Sequence, residues 1–300
     1  MLRGFYGFRP KGEGTTHLRG PPSNRLMMNA FFFLRSFQRT TILILICIAP
    51  TICGASLAAE QVRVVQRQGA IHAFLVVKDE SGREIAVGDE TNEVRGNLID
   101  SRTIFRFRDG SLDDEETVYR QGQTFQLIRD HRIQKGPSFS KPSNITINVA
   151  KGEVSWVVKS NNELQTKSLH MDLPRDLANG MVPVLIENLP QDATELKVSY
   201  LAVDSKPRIV ALDIKPDGTD KVLIGADGRR ADRFNIHTDI GGIAGVVAPI
   251  VGKQPPDLKL WMAGGPAPVF VRMDGPFYEQ GPVWTVLLAA PTWPTEDAQK

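Results

Sequence analysis

Four histidines follow residue 60: His72, His131, His170 and His237. Two of them precede an aspartate by two positions, His170 before Asp172 and His237 before Asp239. Residues i and i+2 of a strand share a face. Each pair could therefore orient an imidazole for acid–base work, and two pairs meeting in space could bind a metal or drive a hydrolysis. Same-face polar pairs are also ordinary features of sheets. No histidines repeat at i, i+4, and no G-x-S-x-G elbow is present to carry a serine nucleophile. The two cysteines, Cys47 and Cys53, both fall in the first sixty residues.

Two further stretches imitate known ligand loops. "VAPIVGKQ" ends in Gly252-Lys253, as a phosphate-binding loop does. Val247 stands where such a loop needs its first glycine, and Gln254 where it needs Ser or Thr. Pro249 removes a backbone donor from the cradle. "DGSLDDEE" (Asp109 to Glu116) matches a calcium loop at Asp109, Ser111 and Asp113. It fails at position six, Asp114, and at position twelve, Arg120. An acidic hairpin turn is the plainer expectation. The sequence thus predicts a non-enzymatic protein, with no catalytic, cofactor or metal residue assigned.

What remains is apolar. Ile240 to Gly252 runs thirteen residues without a charge. That is too short to span a bilayer. It is long enough to plug a core, close over an apolar ligand or touch a membrane surface. With the aromatics Trp156, Trp261, Trp284, Phe105, Phe125 and Phe270, it raises the question of an internal ligand. The residues proposed to line such a site are Leu177, Met181, Leu185, Ile243, Val246, Val247, Ile250, Val251 and Trp261.

The elements that must position these residues begin after residue 59. Arg35 and Arg39 precede an apolar run from Thr41 to Ala49, and Ser56-Leu57-Ala58 fits a small-x-small cleavage site. This is the pattern of a secretory signal over residues 27–59, cleaved near Ala58 or Ala59. The uncharged stretch from Thr40 to Ala59 holds only about 9 to 13 strongly apolar residues, short of the ~20 a membrane span needs. Residues 1–26 fit no export logic and are expected to be an upstream extension before a start at Met27 or Met28. Residues 1–59 hold seven Lys/Arg and one Glu, so cleavage turns the formal charge of +2 to about −4. The chain from residue 60 then has no thiol and no basic footprint for nucleic acid. A periplasmic or secreted location is expected.

From Glu60 the hydrophobic period is mostly two. "NLIDSRTIFRFRDG" alternates most clearly, and similar runs recur every ten residues or so between Gly- and Asp-bearing turns. "KPDGTD" (215–220) and "GADGRRAD" (225–232) read as hairpin turns, because Asp-Gly supplies the positive φ they need. "DLPRDLANGMVPVLIENLP" breaks the rhythm. It predicts a turn to Asn179 and then a helix of about two turns, with Pro183 in its first turn. The expected organisation is one β-rich domain over 60–295. It comprises a meander at 60–173, a helical element at 174–190, and a second meander at 191–295 that carries the insertion 240–252. A sheet this long must close or cover its edges. The fold predicted is mainly β, a curled antiparallel half-barrel-like sheet wrapped around the short helix.

The strings "FRFRDGSLDDEETVY", "QKGPSF", "DLANGM", "GVVAPIVGKQPPD" and "GPVW" carry a resemblance. The chain resembles an uncharacterised family of exported bacterial β-rich proteins, a domain of unknown function that implies no activity. At the level of strand and helix order it is also similar to the half-barrels of lipoprotein-carrier-like periplasmic lipid-binding proteins. That likeness implies binding of an apolar small molecule or lipid in the concave face, or of an envelope component. The other readings are an envelope scaffold that binds a protein, and a hydrolase using the two His–Asp pairs. No transmembrane span is expected after residue 59, whereas peripheral membrane contact is compatible with the apolar insertion.

Overall fold

The structure is a computed structural model that describes residues 61–160, 163–203, 205–224, 227–240, 255–265 and 268–289. The signal segment and the insertion at 241–252 lie outside the described residues. Eight strands come first: β1 (Ile71–Lys78), β2 (Glu84–Arg95), β3 (Leu98–Phe107), β4 (Leu112–Gln121), β5 (Phe125–Lys135), β6 (Ser143–Asn148), β7 (Glu153–Ser160) and β8 (Glu163–His170). After the α-helix α1 (Val182–Glu187) come β9 (Leu196–Val203), β10 (Pro207–Ile224), β11 (Asp227–Asp239), β12 (Leu258–Ala263), β13 (Val269–Pro276) and β14 (Val283–Leu288).

All fourteen strands form one antiparallel sheet in the order β8 to β1, then β14 to β9. The two meanders are joined by the pairing of β1 with β14, from Leu75 opposite Leu288 to Lys78 opposite Thr285. They therefore share one sheet. The sheet is not closed, and its two edges are β8 and β9, neighbours in sequence linked through α1.

The two edges are treated differently. Segment 176–179 lies along β9 and satisfies its outward backbone groups. Leu177 makes a parallel bridge to Ser199, and Ala178 N–H donates to the Ser199 carbonyl at 2.9 Å. Asp176 Oδ2 accepts from Ser199 N–H at 2.7 Å. The Asn179 amide exchanges bonds with both backbone groups of Leu201, at 2.8 and 3.0 Å. Side-chain amides imitate the backbone well enough to cap an edge. All eight residues of β8, by contrast, are exposed.

The helix obeys its sequence. Pro183 sits at its start, where a missing N–H costs nothing, and Val184, Leu185 and Ile186 are buried. Asn188 ends it and ties down the strand-like segment that enters the domain: its Oδ1 accepts from Val65 and Gln66 N–H at 2.9 and 2.6 Å. One core packs α1 against Ile99, Ile147, Val198, Ile214 and Leu260 on the inner face. A second, aromatic core gathers Phe105, Phe107, Phe139, Phe277 and Trp284.

Two turn expectations need correction. "KPDGTD" is no hairpin: β10 runs through it, with a register shift between Pro216 and Thr219 and Gly218 at φ 93°. An Asp-Gly pair serves a bulge as well as a turn. "DGSLDDEE" is a turn only at its start, because β4 begins at Leu112.

Candidate functional site

The alternation of β2 to β5 sends two consecutive cross-strand rows of polar side chains to the inner face. One row is Glu90, Thr103, Glu115 and Arg132; the next is Asn92, Ser101, Thr117 and Asp130. Phe105 and Asp113 stand opposite each other in the row beyond, followed by Gln134. The aromatic core bounds this belt on one side. Ile99, Tyr119 and Leu127, which pack on α1, bound it on the other.

Within the belt Arg132 is the organising charge. It makes a two-pronged bond to Asp113, at 3.0 and 2.7 Å, and Asp113 is only 3% exposed. Gln134 Nε2 donates to the same carboxylate at 3.1 Å and to the Phe277 carbonyl at 3.0 Å. The network thereby anchors the segment after β13 to β5. Thr117 Oγ1 donates to Asp130 Oδ1 at 2.9 Å. The helix-leading turn presses on this bond: Gly180, at φ 65°, lies so close that a Cβ there would stand 1.9 Å from Thr117 Oγ1.

The enclosure reshapes the acidities. Burial raises the Glu115 carboxyl, with Arg132 opposing and Asp113 adding to the rise. Burial, reinforced by Glu115, lifts Asp130 well above the usual carboxylate range despite its Thr117 bond. Burial works against the Arg132 charge, yet Asp113 and Glu115 outweigh it and hold the guanidinium firmly protonated. Burial pushes the Tyr200 phenol, which faces this cluster from β9, up to about 12. Beside Tyr119, burial raises Glu90, and it pushes Glu187 up to about 7 against the Gln68 hydrogen bond.

A carboxyl whose folded pKa is raised stabilises the fold most below its unfolded pKa, near 4.3, and progressively less as pH climbs toward the folded value. The protein should therefore lose stability between about pH 4.5 and 7 as Glu187 ionises. Glu187→Gln should flatten that part of a thermal-melting profile. An unchanged pH slope would show that Glu187 is not strained by burial.

The belt was not foreseen from the sequence, although its signal was there. Asp113 and Glu115, like Asp130 and Arg132 on the next strand, keep the period of two that puts them on one face. Asp114 and Glu116 point outward and meet Arg102, at 2.7 and 3.7 Å.

The residues singled out beforehand are scattered. Leu177, Met181 and Leu185 are 1–3% exposed and packed into the α1 core. Ile243, Val246, Val247, Ile250 and Val251 lie outside the described residues. Trp261 is buried in a small cluster with Ala231, Ala263 and Val271. It alternates with Leu260 and Met262, which face α1, so it occupies the sheet's outer surface. There Trp261 Nε1 donates to Asp220 Oδ2 at 2.7 Å, and the Arg272 guanidinium lies 4.7 Å above its ring. Of the His–Asp pairs, His170 is exposed on β8, and His237 Nδ1 lies 2.7 Å from Asp257 Oδ1. Among the described residues no group of three or more His, Cys, Asp or Glu is placed to hold a metal, and no helix is long and apolar enough to cross a membrane.

Beside the Trp261 cluster, the hairpin of β10 and β11 and the end of β12 enclose an open groove of about 660 Å³. Ile224, Ala263 and Val269 give it apolar walls, and Arg229, Arg230 and Asp232 give it charge. A second, shallower groove of about 420 Å³ shares Arg230 and adds Lys221 and Asp220.

Neither a family model nor a curated protein matches the chain. Among solved structures, it is similar to the crystal structure of a beta-barrel-like protein of domain of unknown function DUF1849 from Brucella abortus. The two are 11% identical, with a TM-score of 0.42, over 76% of this chain and 99% of that one. By its own strand order the chain is a mostly β protein built on one open fourteen-stranded antiparallel sheet.

Proposed function

We propose that the chain is an exported, non-enzymatic interaction protein that binds an envelope partner through the outer surface of its sheet. The observation that supports this most is the packing beneath α1. A lipid carrier of this shape needs an apolar hollow under its helix. Leu177, Met181 and Leu185, which would line that hollow, are instead pressed against the protein's own sheet. The remaining inner face carries the carboxyl–arginine belt, in which Arg132 and Gln134 bond Asp113 and Thr117 bonds Asp130, and whose desolvated acids would repel an acyl chain.

The outer surface offers what the interior does not. β8 is a fully exposed edge, and edges of this kind accept extended partners. Leu164 is 60% exposed there, and Val269 is 46% exposed at the groove.

A photo-reactive residue placed at Leu164 or at Val269 tests the reading in envelope fractions of cells producing the protein. A discrete cross-linked adduct from at least one position is expected, absent when the reactive residue replaces the buried Leu185. Uniform lack of adducts from both outer positions would end the proposal.

A further inference from the structure

We infer that the groove beside Trp261 is the docking site, and that its occupant is an acidic segment of a partner protein bearing apolar side chains. The inference rests on the interaction reading and names the chemistry of the partner.

Most arginines of this sheet are neutralised locally. Arg83, Arg95, Arg102, Arg106, Arg108 and Arg132 each bond an aspartate or glutamate. The same holds beside the groove: Arg233 bonds Asp217 and Asp220, and Arg272 bonds Asp274. Of these, Arg272 covers the Trp261 ring next to the groove. Arg229 and Arg230, nearer the start of β11 than Arg233, are exposed and have no carboxylate partner among the described residues. Lys221, directly opposite Arg230 on β10, is likewise unpaired.

Adjacent residues of a strand point to opposite faces. Arg229 and Arg230 nevertheless both line the groove, and Arg230 also lines its neighbour. One carboxylate, Asp232, shares the space. It leaves an excess of positive charge over the apolar surface of Ile224, Ala263 and Val269. Guanidinium groups accept carboxylates through two parallel bonds, and an apolar side chain between two acidic ones would cover Val269. An extended peptide alternating Glu with Leu presents both features.

The test uses the full domain and two fluorescent nonapeptides, one alternating Glu and Leu, the other Lys and Leu, read by fluorescence anisotropy. The acidic peptide should bind saturably and weaken as salt is raised, because the contact is between exposed charges. The double variant Arg229→Glu/Arg230→Glu should lose at least tenfold in affinity while melting as the parent does, since neither side chain has a carboxylate partner to lose among the described residues. The basic peptide should not bind the parent.

Equal binding of the acidic peptide to parent and double variant would overturn the assignment. So would binding of dodecanoate at this groove with none of the peptide, which would make the occupant a small amphiphile. The Val269 and Leu164 cross-links separate the two levels. An adduct that persists in the double variant removes the groove and keeps the interaction reading. An adduct absent even from the parent removes both.

Discussion

Arg132→Met should lower the stability of the protein by about 3–5 kcal/mol, the cost of stranding one partner of a buried ion pair. Asp113 is 3% exposed and receives two bonds from Arg132. Without the guanidinium it keeps only Gln134, and it must take up a proton or remain a desolvated anion. Glu115 loses the one charge that opposes its desolvation. The Phe277 carbonyl also loses one of its two donors, loosening the closure of the aromatic core. The measurement is urea unfolding at pH 7. Arg132→Met/Asp113→Leu should recover most of the loss, because replacing both charges by apolar groups removes the stranded carboxylate. A single-variant cost under about 1 kcal/mol would show that the belt is hydrated and the pair is not structural.

Gly180→Ala should cost about 2–5 kcal/mol. A left-handed backbone costs an L residue roughly 1–2 kcal/mol, and overpacking adds about 1–3. The Cβ would arrive 1.9 Å from Thr117 Oγ1, an atom that cannot swing away without giving up its 2.9 Å bond to Asp130. Gly82→Ala is the matched control. Its φ is 80°, and nothing lies within 4 Å of the added Cβ, so it should show the backbone cost alone. Equal losses at the two sites would mean that the turn before α1 does not press on β4.

These two sites show what the sequence could and could not convey. The alternation in "FRFRDG" placed Phe105 and Phe107 on one face, and they are core. Pro183 and the spacing of Val184 and Leu185 marked a short helix where one stands. Local signals of this kind depend only on neighbours in the chain.

The belt depends on registers between strands. "DDEE" reads as an acidic turn until β4 is set against β5, when Asp113 and Glu115 turn inward toward Gln134 and Arg132. Gly180 falls between the expected turn and helix, and its contact with Thr117, sixty-three positions earlier, is beyond any local pattern. The pairing of β1 with β14 is longer in range still. Trp261 counts with the interior residues as one of the aromatics that could line a ligand cavity. Only the sheet's two-sidedness separates it from Leu260 and Met262.

The central claim is that the space beneath α1 is filled by the protein's own side chains, so that partners are met from outside. The direct measurement is native mass spectrometry of the protein purified from the envelope without detergent, paired with mass spectrometry of its organic extract. The predicted result is the bare mass of the polypeptide and no lipid in stoichiometric amount. A one-to-one adduct whose mass matches an extracted lipid would contradict the account and restore the carrier reading.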